Sequence, residues 1–203
     1  MFNIAFSPDQ LVGLVKDAEY TGGRFFVSPD EDAVKAGQPR AWWEQVEVTK
    51  VLVEDDPKGD DFPNNQRVKV TLGFRVADEG QWLDHQMSVL GQSENAGRSQ
   101  DETFYLTPTS EHENLNKMTD ISSGKLGQVA FAGLNLNPED PSSLPVDAEG
   151  KVDLLSLVQQ AQGTFMWARF RRYRDDYVKA GETEATEAYR TEFSQATPVE
   201  VEG

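Results

Sequence analysis

Cysteine is absent from this chain of 203 residues, which excludes disulfides, thiolate zinc centres and cysteine nucleophiles. Histidine is scarce. His85 and His112 are the only two, and neither stands in a metal-ligand spacing such as His-Glu-x-x-His, so no metal is expected. The glycine patterns that cradle a nucleotide phosphate, open a dinucleotide fold or shape a hydrolase elbow do not occur, and no other cofactor is expected. Carboxylates are plentiful but fall in loop-like sequence without a placed partner, which reads as solvated surface and a non-enzyme. Long apolar runs are missing too, since a membrane helix needs roughly 18 consecutive apolar residues. The opening Met-Phe-Asn-Ile-Ala-Phe-Ser-Pro-Asp has no basic segment followed by an apolar one. The expectation is a soluble, cytoplasmic protein with no membrane attachment. Positive charge is the last shortage: 19 Lys and Arg against 35 Asp and Glu leave a net charge of −16. Such a body repels polyanions broadly, so a nucleic acid can be held only in a local basic groove.

One stretch departs from that composition. Gly163 to Arg174, Gly-Thr-Phe-Met-Trp-Ala-Arg-Phe-Arg-Arg-Tyr-Arg, holds four arginines and no acid. Written as a strand, it sends alternate residues to opposite faces. Met166, Ala168 and Phe170 then face a core, while Phe165, Trp167, Arg169, Arg171 and Tyr173 share the other side. Rings alternating with guanidinium groups suit an unpaired nucleic-acid strand, because rings stack on bases while arginine neutralises phosphate and stacks as well. Two plainer readings stay open: a half-buried strand whose arginines are solvated or paired, and a helix, since Met166, Phe170, Tyr173 and Tyr177 also recur at helical spacing.

Elsewhere the pattern alternates between strand and helix signals. Ser7-Pro8-Asp9-Gln10 reads as a capping box opening a helix through Leu11, Val12, Leu14, Val15 and Ala18, ended at Tyr20–Gly23. Phe25 to Val27 suggests a short strand, and Ser28 to Arg40 a loop. Ala41 to Glu54 is the first long strand, with Trp42 and Trp43 at its entrance. Val46 and Val48 are out of phase with Val51 and Val53, which predicts a bulge near Thr49-Lys50. Asp55 to Asn65 is an acidic, turn-rich connection without the calcium-loop spacing. Gln66 to Asp78 is the clearest strand: Val68, Val70, Leu72, Phe74 and Val76 alternate with Arg67, Lys69, Thr71, Gly73 and Arg75. Its polar face is either a basic surface or an ion-paired one. Trp82 to Leu90 is expected to complete a three-stranded meander, followed by a mobile polar stretch at Gly91–Thr103 and a brief apolar Phe104-Tyr105-Leu106. Ser110 opens a helix of about three turns through Leu115, Met118 and Ile121. A second helical piece is expected at Lys125–Ala132, a long loop at Gly133–Gly150, and a short helix capped by Asp153 and stopped at Gly163. From Asp175 onward, eight acids face two bases. That end is either a last strand around Tyr189, Phe193 and Val199 or a disordered acidic tail.

This order implies a mostly β, α+β protein: strands in a meander, a helical interruption, then one or two more strands. Three parts are expected: an N-terminal helix and loop (1–40), a barrel with inserted helices (41–176) and the acidic segment (177–203). The layout from Trp42 to Glu202 resembles phage-encoded single-stranded DNA-binding proteins with an OB-fold, a five-stranded Greek-key barrel with a helix after its third strand. The resemblance is carried by Val46–Glu54 and Gln66–Asp78 as opening strands and by Asp153–Gly163 before the Phe165–Arg174 strand. It implies a role in phage DNA replication or recombination, with replication or recombination proteins recruited through the acidic C-terminal segment. Trp42, Trp43, Phe165 and Trp167 would stack on bases, and Tyr173 would join them in the binding row. Lys50, Arg67, Lys69, Arg75, Arg169, Arg171 and Arg172 would line the phosphate path. Self-association into a homo-oligomer stays open. Two rival expectations are a virion structural or assembly protein, whose loops order against neighbours, and an acidic DNA mimic that inhibits a host nucleic-acid enzyme.

Overall fold

The computed structural model describes residues 5–17, 26–57, 66–108, 112–178 and 183–199. The expected helix end at Tyr20–Gly23, Phe25, most of the Asp55–Asn65 connection, Ser110 and the end from Glu200 lie outside them. Among the described residues the protein is α+β, built on a large antiparallel sheet. Strands β2 (Arg40–Asp55), β3 (Val68–Val76), β6 (Ser99–Leu106), β8 (Phe165–Arg174) and β11 (Tyr189–Pro198) lie in the order β11-β8-β2-β3-β6. A hairpin of β4 (Gln81–Leu83) and β5 (Val89–Gln92) prolongs the sheet past the end of β3, where Trp43 pairs with Leu83. Two small ladders complete the strands: β1 (Ala5–Phe6) with β7 (Val152–Asp153), and β9 (Tyr177–Val178) with β10 (Ala185–Thr186). Four helices, α1 (Pro8–Asp17), α2 (Glu31–Lys35), α3 (Glu113–Leu134) and α4 (Leu154–Gln160), accompany them. No described helix is long and apolar enough to cross a membrane.

The alternation in β3 does what period-two burial demands: Val68, Val70, Leu72, Phe74 and Val76 are all fully buried. In β2 the register shifts between Val48 and Lys50, so Val46 and Val48 before the bulge and Val51 and Val53 after it all turn inward. Gly73 lies opposite that bulge. A Cβ there would stand 3.0 Å from both Lys50 Cβ and Thr49 Oγ1, so the partner strand can approach only where no side chain intervenes. Helix α1 starts on the expected capping box, with Ser7 N donating to Gln10 Oε1 at 3.0 Å and Gln10 N to Ser7 Oγ at 3.3 Å. Its Leu11, Val12 and Val15 join the same hydrophobic cluster as the sheet. In that cluster Phe170 meets Phe26 edge-on at 4.9 Å, and Phe74 stacks on Phe193 at 5.2 Å.

Three expectations are corrected. Trp82–Leu90 is a tight hairpin and not the third long strand: Asp84 Oδ1 accepts from Gln86 N at 2.8 Å and Ser88 N at 2.9 Å, which folds the chain back on itself. The third long strand is β6, within a stretch expected to be mobile. Its inward face begins with Gln100 and Glu102, both buried, so it shows no apolar alternation to read. The two expected helical pieces are one helix of 22 residues, α3, which continues through Gly124. Packing outweighs the glycine penalty of about 1 kcal/mol: a Cβ at Gly127 would come within 2.4 Å of Val15 Cγ2, so α1 and α3 cross at glycine contact. The stretch Ser28–Arg40, expected as loop, holds α2, capped by Asp30 through Ala33 N at 3.2 Å. The C-terminal segment supplies β11 and is thus part of the sheet.

The two ends of the strand row face one another. By alternation β6 and β11 run in the same direction. Phe193 N of β11 donates to Glu102 Oε1 of β6 at 3.0 Å, and α3 packs against both strands.

Candidate nucleic-acid interface

Strand β8 divides its residues as alternation requires. Met166, Ala168 and Phe170 are buried, Trp167, Arg169, Arg171 and Tyr173 are half-buried, and Phe165 is 51% exposed. Registers on both sides give the neighbours of each outward residue. Arg171 lies between Glu192 and Ala41, Arg169 between Gln195 and Trp43, Trp167 between Thr197 and Gln45, and Phe165 beside Glu47, while Tyr173 lies beside Arg190. The β4–β5 hairpin and the end of β11 rise on either side of this floor. They enclose a groove of about 450 Å³ lined by Leu83, Met87, Trp167, Thr197, Pro198 and Val199, none of them charged.

Two guanidinium groups continue the row past Trp167. Arg169 Nη1 donates to Gln195 Oε1 at 3.2 Å, its Nε finds no protein partner, and it forms no ion pair with a described carboxylate. Arg171 lies 5.5 Å from the Tyr173 ring centre. The Tyr173 hydroxyl donates to Glu192 Oε1, and burial together with that carboxylate pushes its pKa to about 12. It is therefore a fixed neutral ring at the lower end of the row.

The other expected contacts lie elsewhere. Trp42 is fully buried, 6.3 Å from the Phe170 ring, and cannot meet a base. The parity of Val46 and Val48, extended back along β2, assigns it inward and Trp43 outward. Lys50 pairs with Asp101 at 2.8 Å and Lys69 with Glu54 at 3.3 Å. Arg67 pairs with Asp56 and lies over the Tyr105 ring at 4.1 Å, while Arg75 pairs with Asp78. The polar face of β3 is thus ion-paired. Arg172 is in the inward phase at the end of the core. It binds Glu31 at 2.7 Å, Thr191 Oγ1 at 3.1 Å and the Phe26 carbonyl at 3.2 Å, tying α2 and its approach to the sheet. The expected site therefore contracts to Trp43, Phe165, Trp167, Arg169, Arg171 and Tyr173. Gln195 and the groove walls Leu83, Met87, Thr197, Pro198 and Val199 join it. Only the cross-strand register reveals these walls, because they come from segments far apart in the chain.

Besides Glu192, which bonds the Tyr173 hydroxyl, the buried charges among the described residues are Glu44, Glu102 and Lys125. Glu44 accepts from Ser93 Oγ at 2.6 Å and Asn95 Nδ2 at 2.8 Å, and burial raises its pKa to about 6. At the β6–β11 seam, burial raises Glu102 to about 8 and lowers Lys125 to about 8. Among the described residues no group of three or more His, Asp or Glu is placed to hold a metal ion. A scan against protein-family models finds no match to this chain, and searches of curated proteins and of solved structures find none either.

Proposed function

We propose that the protein binds single-stranded nucleic acid along the outer face of β8, with bases on Phe165, Trp167 and Trp43 and phosphates toward Arg169 and Arg171. The observation that carries this reading is the juxtaposition of Trp167, open to an uncharged groove, with Arg169, which no described carboxylate neutralises. In a chain of net charge −16, such a spot is where a polyanion meets least repulsion. The strand order supports an OB-like Greek-key barrel as the scaffold. Strands β2, β3 and β6 form a meander, β8 lies beside the first of them, β11 lies beside β8, and α3 and α4 fall between the third and fourth. On this reading the protein is a phage-type single-stranded DNA-binding protein of replication or recombination. Its partner proteins are recruited by the acidic C-terminal segment.

Fluorescence titration with dT oligomers at low salt tests it. Trp167→Ala is expected to lose most of the quenching and about 1–3 kcal/mol of affinity, the range for one stacked base. Arg169→Ala with Arg171→Ala should weaken binding further, most strongly at low salt. Unchanged tryptophan emission at low salt rejects the proposal, as does equal binding by the double arginine variant.

A second reading, an assembly protein, draws on strand β5, which pairs only with β4 among the described residues, where Val89 is 62% and Leu90 55% exposed and which itself carries no charged residue. Light scattering after size exclusion separates the two, because assembly requires a large defined oligomer indifferent to oligonucleotide.

A further inference from the structure

Strands β6 and β11 close the ends of the sheet against each other without a backbone ladder between them among the described residues. Side chains span the gap instead. Glu102 Oε1 accepts from Phe193 N at 3.0 Å and from Gln100 Nε2 at 2.7 Å, while Lys125 Nζ of α3 donates to Phe193 O at 3.1 Å. Both backbone polar groups of Phe193 thus depend on ionisable side chains from two other elements. The register of β11 slips immediately after Phe193, and Gln195, Thr197, Pro198 and Val199 beyond the slip hold Arg169 and form one wall of the groove. Glu102, Lys125, Gln100 and Glu192 are all buried, and Glu102 Oε2 and Glu192 Oε2 have no protein partner. The charged groups facing Glu102 are Lys125 from α3 and Glu192 from β11, with the Tyr173 hydroxyl of β8 bonded to Glu192.

We propose that Glu102 and Lys125 form a proton-operated latch on β11, whose release frees the strand from β6 and loosens the Thr197–Val199 wall of the groove. Burial sets the sign. It raises Glu102 from 4.5 to about 8 and lowers Lys125 from 10.5 to about 8 in the closed state, whereas a detached β11 returns both groups to water. The closed state therefore holds the Glu102 proton more tightly, and closure weakens as pH rises from 4.5 to about 8. Above that, the closed state has already discharged Lys125, so closure recovers as pH rises from about 8 to 10.5. The latch is tightest in mild acid and loosest near pH 8. It stands on the seam geometry; its consequence for a ligand rests on the nucleic-acid reading above.

Amide exchange of the full chain, followed residue by residue at about pH 5.5 and about pH 8 with intrinsic rates divided out, tests the latch. Protection of Phe193 is expected to fall about tenfold or more between the two, while that of Leu72 in β3 holds and Glu102→Gln abolishes the change. Constant protection at Phe193, or an equal loss in β3, overturns the proposal. Should Glu102→Gln fail to fold, Lys125→Met carries the same test: it should abolish the recovery above pH 8, and its retention would overturn the latch. In parallel, dT oligomers should bind more weakly near pH 8 than near pH 5.5 in the wild type, and equally at both in Glu102→Gln. Oligomers that bind at neither pH defeat the nucleic-acid reading, and the exchange data then decide the latch alone.

Discussion

Two donors converge on the Glu44 carboxylate: the Ser93 hydroxyl and the Asn95 amide. They join β2 to the segment that follows the β4–β5 hairpin. Removing the carboxylate strands these donors in the interior, so Glu44→Ala is expected to cost about 2–4 kcal/mol in urea unfolding. The charge itself is unfavourable there. With its folded pKa raised to about 6, Glu44 lowers stability as pH climbs from 4.5 to about 6 and no further above that. Thermal melts across that window should show the decline, and Glu44→Gln should remove it. Gly73 makes a second prediction at this scale. Gly73→Ala places a methyl group 3.0 Å from Lys50 Cβ at the bulge and should destabilise by about 1–3 kcal/mol by the same assay.

At the scale of elements, β8 and β3 look alike in sequence, each with basic residues on one face and apolar ones on the other, yet they end with different roles. The carboxylates that neutralise Lys69 and Arg67 come from β2 and from Asp56 just beyond it, placed by register, while Arg75 is paired locally with Asp78 three residues on. Beside Arg169 the same registers place Gln195 and Trp43. Arg75→Ala and Lys69→Ala are accordingly expected to leave dT affinity within about twofold, since exposed ion pairs contribute about 0–1 kcal/mol and these bases face no ligand. Arg172→Ala should separate from both classes. It should lower stability by about 1–3 kcal/mol, because Glu31 and the Phe26 carbonyl lose a shared partner, while oligonucleotide affinity holds. A drop in affinity with unchanged stability would return Arg172 to the phosphate path.

For the whole molecule, the acidic excess and the contracted basic row together limit how a polyanion binds. With Arg169 and Arg171 as the phosphate contacts, log K against log salt should have a slope of about −1.4, roughly 0.7 per contact for a single strand. A slope near −3.5, roughly 0.7 for each of five contacts, would mean that Arg67, Lys69 and Arg75 leave their carboxylates and join in. Much of this was determined by sequence alone: the inward faces of β2, β3 and β8, the bulge after Val48, the capping box at Ser7 and the Asp153 cap, because side-chain alternation and capping are local properties of the chain. Even the opposite fates of Trp42 and Trp43 lay in the parity of β2. Only the tertiary structure decided that Gln100 and Glu102 belong to an inward strand face, that Arg67 and Lys69 are neutralised from the neighbouring strand, and that Pro198 and Met87 line one groove with Trp167. Those outcomes depend on which distant segment becomes the neighbour, and a carboxylate or a groove wall contributed by another strand leaves no local periodicity to read.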